Sequence, residues 1–277
     1  MYSIFHFFKS IVAHKVDFIS IKKLEYFPFD IDLLSCKNTG QFPDLAIKIN
    51  PSNSLFTGGE LIELKDSDSY TVSSFNSTIP SGKKLINKII KGEKSIIKQQ
   101  MLQAGDNIDS LPMRDVFYLV RGRKKGDIKV ALIHGSFFET VTSSDLISQS
   151  FSQVLEERLK ESNLSVGTDI KELLITMFSE QENFSKVRNI DKASVKLRFR
   201  IMTEAKAEGN ILNRTKYPEI KDNTFNFLLP IHSQNDEELV MKKMLTVYSK
   251  NELNIFNIFK LKHHFNGYFL VFQIDLI

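Results

Sequence analysis

Two short stretches decide the fold: Phe42-Pro43-Asp44-Leu45-Ala46-Ile47-Lys48-Ile49 and Glu60-Leu61-Ile62-Glu63-Leu64-Lys65. Each is an apolar-rich run of strand length. The segment between them, Asn50 to Gly59, carries the Pro, Ser, Asn and Gly of a loop. The pattern predicts two strands that pair antiparallel, the first entered through a proline turn. Side chains two apart on a strand share a face, so Glu63 and Lys65 point one way and Leu64 the other. Antiparallel pairing sets the Asp44 carboxylate beside Glu63. Two carboxylates at that separation repel unless a proton or a cation lies between them. A hard divalent ion such as Mg²⁺ suits the oxygen pair and keeps positions open for water and phosphate. Such an ion activates water and neutralises charge developing on a phosphate. Lys65, on the same face, is placed to hold the water or stabilise the phosphorus group. The expected catalytic residues are Asp44, Glu63 and Lys65. The expected Mg²⁺ ligands are Asp44, Glu63 and the main-chain carbonyl of Leu64.

Outward from this pair, the first forty residues are apolar and open as a helix, with a break at Phe27-Pro28-Phe29-Asp30. The apolar pairs Leu85-Ile86, Ile89-Ile90 and Ile96-Ile97, with lysines between, predict a helix over Lys83 to Met101. Val116 to Val120 and Ile128 to Ile133 flank Arg121-Gly122-Arg123-Lys124-Lys125-Gly126, a β-hairpin with a basic tip. Leu146 to Leu159 and Ile170 to Phe178 read as amphipathic helices. Val195 to Ile201 alternates apolar residues with Lys196, Arg198 and Arg200, a strand with a cationic face or a helix. Ile255 to Lys262 and Tyr268 to Ile274 read as a hairpin through Phe265-Asn266-Gly267. Strands and helices without regular alternation predict an α/β (α+β) fold around a mixed sheet.

The chain has 277 residues, 42% of them hydrophobic and 25% charged. At that size roughly 75% of the unfolded surface can be buried, so the core needs no staple. The one cysteine, Cys36, excludes an internal disulfide, and no Cys/His cluster has zinc spacing. No window of 18 apolar residues appears, and a cytoplasmic protein that does not enter a membrane is expected. The net charge is +4, but between Ser81 and Val130 twelve Lys/Arg face five Asp/Glu, a local excess of seven. A polyanion is the natural partner of such a segment. Ser77, Thr78, Lys83 and Lys84, soon after the active strand, and Arg121, Arg123, Lys124 and Lys125, at the hairpin tip, are the expected DNA contacts.

Pro43-Asp44, eighteen residues, then Glu63-Leu64-Lys65 resembles the signature of the PD-(D/E)xK nucleases. Glu60 to Pro80 is also similar to the region around the active strand of type II restriction endonucleases. The likeness covers about forty residues. It implies a mixed central β-sheet flanked by helices, with the metal at Asp44 and Glu63. It further implies that an N-terminal helix lies beside the active strand, which makes Glu25 a better candidate than Glu60 for an accessory acid, although a surface role is the expectation for it. Glu60, by period two, falls on the face away from Glu63, at a solvent-facing strand edge. Acid-x-Lys recurs at Asp127-Ile128-Lys129, with Asp115 as partner acid, and this is the rival site. The resulting expectation is one nuclease domain, 1–277, with a catalytic core at about 20–140 and a region 141–277 for DNA binding or dimerisation. Its activity is that of a homodimeric type II restriction endonuclease acting on double-stranded DNA, with a companion methyltransferase. The alternatives are a structure-specific repair or recombination nuclease and a DNA-binding protein without catalysis. No GxxxxGK[ST] motif is present, which argues against a nucleotide-driven enzyme.

Overall fold

The computed structural model describes residues 3–50, 52, 54–72, 74–76, 80–92, 94–139, 143–179 and 202–276. In chain order these form α1 (Ile4–Ala13), α2 (Lys15–Ser20), β1 (Leu34–Lys37), β2 (Leu45–Ile47), β3 (Leu61–Ser67), β4 (Ser74–Asn76), β5 (Lys83–Leu85), α3 (Ile86–Ile89), α4 (Ile96–Gln103), β6 (Met113–Lys124) and β7 (Asp127–His134). Then follow α5 (Ser143–Glu161), α6 (Thr168–Ser179), β8 (Met202–Glu204), β9 (Thr224–Ile231), α7 (Gln234–Val247), α8 (Lys250–Leu253), β10 (Asn257–His263) and β11 (Gly267–Asp275).

Two compact units result, Met1–Ser73 with Gly82–Phe138 and Ala205–Ile277, and Ser74–Ser81 with Glu139–Glu204. β9, β10 and β11, from beyond residue 140, join the same sheet as β3 and β6. That mixed sheet has nine strands, in the order β1-β2-β3-β6-β7-β9-β11-β10, with β5 against the start of β6. The β2–β3 pair is antiparallel, as the sequence predicts, while β3 and β6 run parallel. The middle strands β6 and β7 are near-continuous apolar runs because both their faces are covered. One face carries α1, α7 and α8. There Phe5 of α1 packs edge-on to Phe227, and Phe8 stacks on Phe227 and lies against Phe256. On the other face α4 buries Ile97 and Met101 and packs on β1.

Two local features depart from expectation. The β6–β7 hairpin forms, but its turn is only Lys125-Gly126, with φ of 53° and 91°. Positive φ at both positions matches the twist of the flanking strands. Arg121, Gly122, Arg123 and Lys124 therefore belong to β6 itself. The helix expected over Lys83 to Met101 is broken into β5, α3 and α4. Lys83–Leu85 is drawn into pairing with β6, and Gly92 adopts φ 77° between the helices. The strand or helix expected at Val195 to Ile201 lies outside the described residues.

The second unit contains the α5–α6 helix pair, as predicted, and the short antiparallel pair β4–β8. The outward side of α6 leaves Ile170, Leu173 and Met177 exposed. Among the described residues, no helix is long and apolar enough to cross a membrane.

Candidate active site

The site is built where β2 stops short of β3. Only two residue pairs join these strands, Leu45 to Ile62 and Ala46 to Leu61. Beyond them, among the described residues, no strand pairs with the main chain of β3 on that edge. The Asp44 side chain takes the place of a strand partner, and its Oδ2 accepts the N–H of Leu64 at 2.9 Å. The turn before Asp44 is fixed in the same way, since Asn38 donates its N–H to the Asp44 carbonyl at 2.9 Å. In a strand, the N–H and C=O of one residue face the same edge. The Leu64 carbonyl thus lies on the open edge beside Asp44.

Glu63 and Lys65 share a face of β3, and Lys65 Nζ donates to Glu63 Oε1 at 2.8 Å. The Asp44 and Glu63 carboxylates come within hydrogen-bonding reach of each other. When both are ionised they are acceptors only. The buried Oε2 of Glu63 accordingly has no donor. Burial pushes the Glu63 carboxyl up to about 7; the Lys65 ammonium opposes the shift and Asp44 adds to it. Burial also raises Asp44, against the N–H of Leu64 and the charge of Lys65, and Glu25 raises it further. Cys36, on β1, donates its thiol to Gln100 Oε1 at 2.9 Å, and burial with the nearby Asp44 pushes it up to about 11.

Glu25 is a third acid, whose charge adds to the rise at Asp44. Glu25 is exposed on a single 3₁₀ turn, Leu24–Tyr26, that rests against β3. Leu24 N–H donates to Asp66 Oδ2 at 3.1 Å. Arg121 holds the same carboxylate through Nε at 2.9 Å and Nη2 at 2.6 Å. It also donates to the carbonyls of Phe18, Ile21 and Lys22. Nothing in the sequence signals this bolt, since Asp66 and its arginine lie 55 residues apart.

The expected residues divide accordingly. Asp44, Glu63, Lys65 and Leu64 are brought together, with Glu25 beside them. Arg121 is 0% exposed in its side chain and cannot touch DNA, which corrects its expected role. Arg123 is half-buried and donates to the Lys22 carbonyl at 3.2 Å and Asp68 Oδ1 at 2.6 Å. Lys124 and Lys125 are exposed at the hairpin tip. Tyr118 of β6 is level with Glu63, so Lys124 lies about 20 Å along the strand from the acid pair. Lys83 lies 3.8 Å from Asp115, and Lys84 sits over the ring of Phe42, two residues before Asp44. Ser77 and Thr78 lie outside the described residues.

Glu60 is not at a solvent edge. Period two places its side chain correctly away from Glu63, but that face is covered by α1, and Glu60 Oε1 accepts the N–H of Ile4 at 3.0 Å. The rival site comes apart. Asp127 pairs with Lys124 at the hairpin tip, and Asp115 sits at the other end of β6. Lys129 is buried and donates to the Ile220 carbonyl.

Two carboxylates, one of them with a buried oxygen that has no donor among the described residues, and a main-chain carbonyl fit a hard divalent cation. With Asp44 and Glu63 ionised, Lys65 leaves one negative charge uncompensated. Among the described residues no group of three or more His, Cys, Asp or Glu is drawn together closely enough to hold a metal alone. Carbonyl and water oxygens would complete the shell. Comparison of the chain with protein-family models, with curated proteins and with solved structures returns no match.

Proposed function

We propose that this protein is a Mg²⁺-dependent endodeoxyribonuclease of the PD-(D/E)xK type, with a restriction-endonuclease-like fold. One observation carries the reading: Asp44 and Glu63 face each other across the open edge of β3, with Lys65 on the same face. Asp44, Glu63 and the Leu64 carbonyl are the residues that would hold the ion. When bound, Mg²⁺ supplies a Lewis acid for water and for the scissile phosphate. Lys65 then donates to the water or to a phosphate oxygen and offsets charge developing in the transition state. Asp44, fixed through the Leu64 amide, keeps its orientation relative to the β3 backbone.

The substrate in this reading is double-stranded DNA, cut at a specific site by a cytoplasmic homodimer whose host DNA is protected by a companion methyltransferase. The exposed stripe Ile170, Leu173 and Met177 on α6 supports a protein contact. A non-catalytic DNA-binding protein is the second reading, favoured by the Lys65–Glu63 ion pair. One incubation with long phage DNA and Mg²⁺ tests both. Discrete fragments support the restriction enzyme, and a smear or structure-dependent nicking supports a repair nuclease. Intact but retarded DNA supports binding without cleavage. Asp44→Ala is expected to lower cleavage at least about a thousandfold. Undiminished cutting by that variant places the chemistry elsewhere.

A further inference from the structure

The arginines expected to touch nucleic acid instead hold a platform beside the acid pair. Arg121 and Arg123 together grip the carbonyls of Phe18, Ile21 and Lys22, and Asp66 takes the N–H of Leu24. The segment from Lys22 to Tyr26 is thus anchored through its main chain, and its side chains are left to face outward. Leu24 is buried beneath it. Lys22 and Lys23 are exposed, and Tyr26 is 65% exposed. Lys23 Nζ lies 5.9 Å from the centre of the Tyr26 ring, so charge and aromatic face are presented together. Singly exposed aromatic residues are common and say little. Tyr26 is informative because its turn packs on β3 and is tied to Asp66, the residue after Lys65.

We infer that Tyr26 stacks on an unpaired base next to the phosphate to be cut, while Lys22 and Lys23 bind the flanking phosphates. This rests on the nuclease reading for the position of the cut, but the contact surface itself does not need the chemistry. An aromatic ring beside ammonium groups is the general device for holding a single nucleic-acid strand. The ring accepts any base, and the cations follow the backbone. A base drawn out of a duplex exposes the face that such a ring needs. A stacked base would take over the ring from the Lys23 ammonium and release that charge to phosphate. The main-chain anchoring matters because a surface held rigid before binding loses little freedom on contact.

The test uses the full chain carrying Asp44→Asn, so that no strand is cut. The probes are a fluorescein-labelled duplex and the same duplex with one unpaired 2-aminopurine. Tyr26→Ala is expected to weaken binding of the unpaired-base duplex about tenfold and remove quenching of the 2-aminopurine. Tyr26→Phe keeps both. The double variant Lys22→Gln/Lys23→Gln is expected to lower the salt dependence of binding by about two phosphate contacts. Equal affinity, quenching and salt slope in these variants overturns the inference, as does a chain that binds neither duplex. Mg²⁺-dependent cleavage, measured in parallel on chains with Asp44 intact, separates the two readings. Cutting indifferent to Tyr26, Lys22 and Lys23 sinks the platform and leaves the nuclease. Binding that depends on them without any cutting does the reverse.

Discussion

Glu60 and Glu63 lie three residues apart at the start of β3, and burial pushes each carboxyl up to about 7. Each also leaves one buried oxygen without a donor. Their surroundings differ. Glu60 lies beneath α1 and accepts the first amide of that helix, with Asp115 adding to its rise and Lys243 opposing it. Glu63 is on the other face, against Asp44 and Lys65, next to an exposed turn that brings a further acid. An elevated carboxyl therefore measures removal from water. What distinguishes a reactive acid is a second acid within reach and a path to solvent.

The widest separation between the two should appear in cleavage. Glu63→Gln is expected to reduce Mg²⁺-dependent cutting at least about a thousandfold, while Glu60→Gln stays within about threefold, because its amide oxygen can still accept from Ile4. Comparable losses in both variants would erase the distinction between the faces.

A stability comparison comes next. Arg121→Met removes a guanidinium buried against Asp66 and takes a side-chain donor from the carbonyls of Phe18 and Ile21, while that of Lys22 keeps Arg123. In urea unfolding it should cost about 3–5 kcal/mol. Arg123→Met, at a half-exposed pair, should cost less than about 1 kcal/mol. Equal costs would show that the platform is not held by Arg121.

The smallest effect is on pH dependence. A carboxyl raised in the fold keeps its proton where the unfolded chain has lost it. Its contribution to stability is complete below the unfolded value of about 4.5 and is lost as pH rises through about 7. In EDTA, Glu60→Gln and Glu63→Gln should therefore each raise Tm at pH 8, by about 2–4 °C for every kcal/mol recovered, and not at pH 4. Under the proposed function, Glu63 is the one of the two whose proton competes with a cation. Mg²⁺ affinity, followed by calorimetry, should rise between about pH 6 and 8 in the wild type and in Glu60→Gln alike. A flat profile in the wild type would remove Glu63 from the ion site.

The acid pair was readable because its determinants are local. A proline turn, a loop and period two place Asp44, Glu63 and Lys65 without reference to the rest of the chain. The β6–β7 hairpin was readable for the same reason. Its arginines were not: whether a cation in an Arg-Gly-Arg-Lys-Lys run meets solvent or a carboxylate depends on a partner 55 residues away. Gly122 illustrates the same blindness. It looks like a turn residue, yet it lies in a strand where a Cβ would stand 2.6 Å from Leu212 and 2.9 Å from the Ser69 carbonyl. Lys83–Leu85 carries a helical pattern, and only the presence of β6 turns it into a strand.

The rings of α1 rest on residues from β9 and from just before β10, roughly two hundred residues further along the chain. During synthesis Phe8 therefore lacks the rings it packs on, and Phe5 has Phe56 but not Phe227, until those strands leave the ribosome. A nascent chain halted after β7 would expose greasy rings and an unpaired strand edge together, the combination that attracts chaperones and seeds aggregates. Expression of truncated forms should accordingly yield insoluble material, with solubility returning only when β9 to β11 are included.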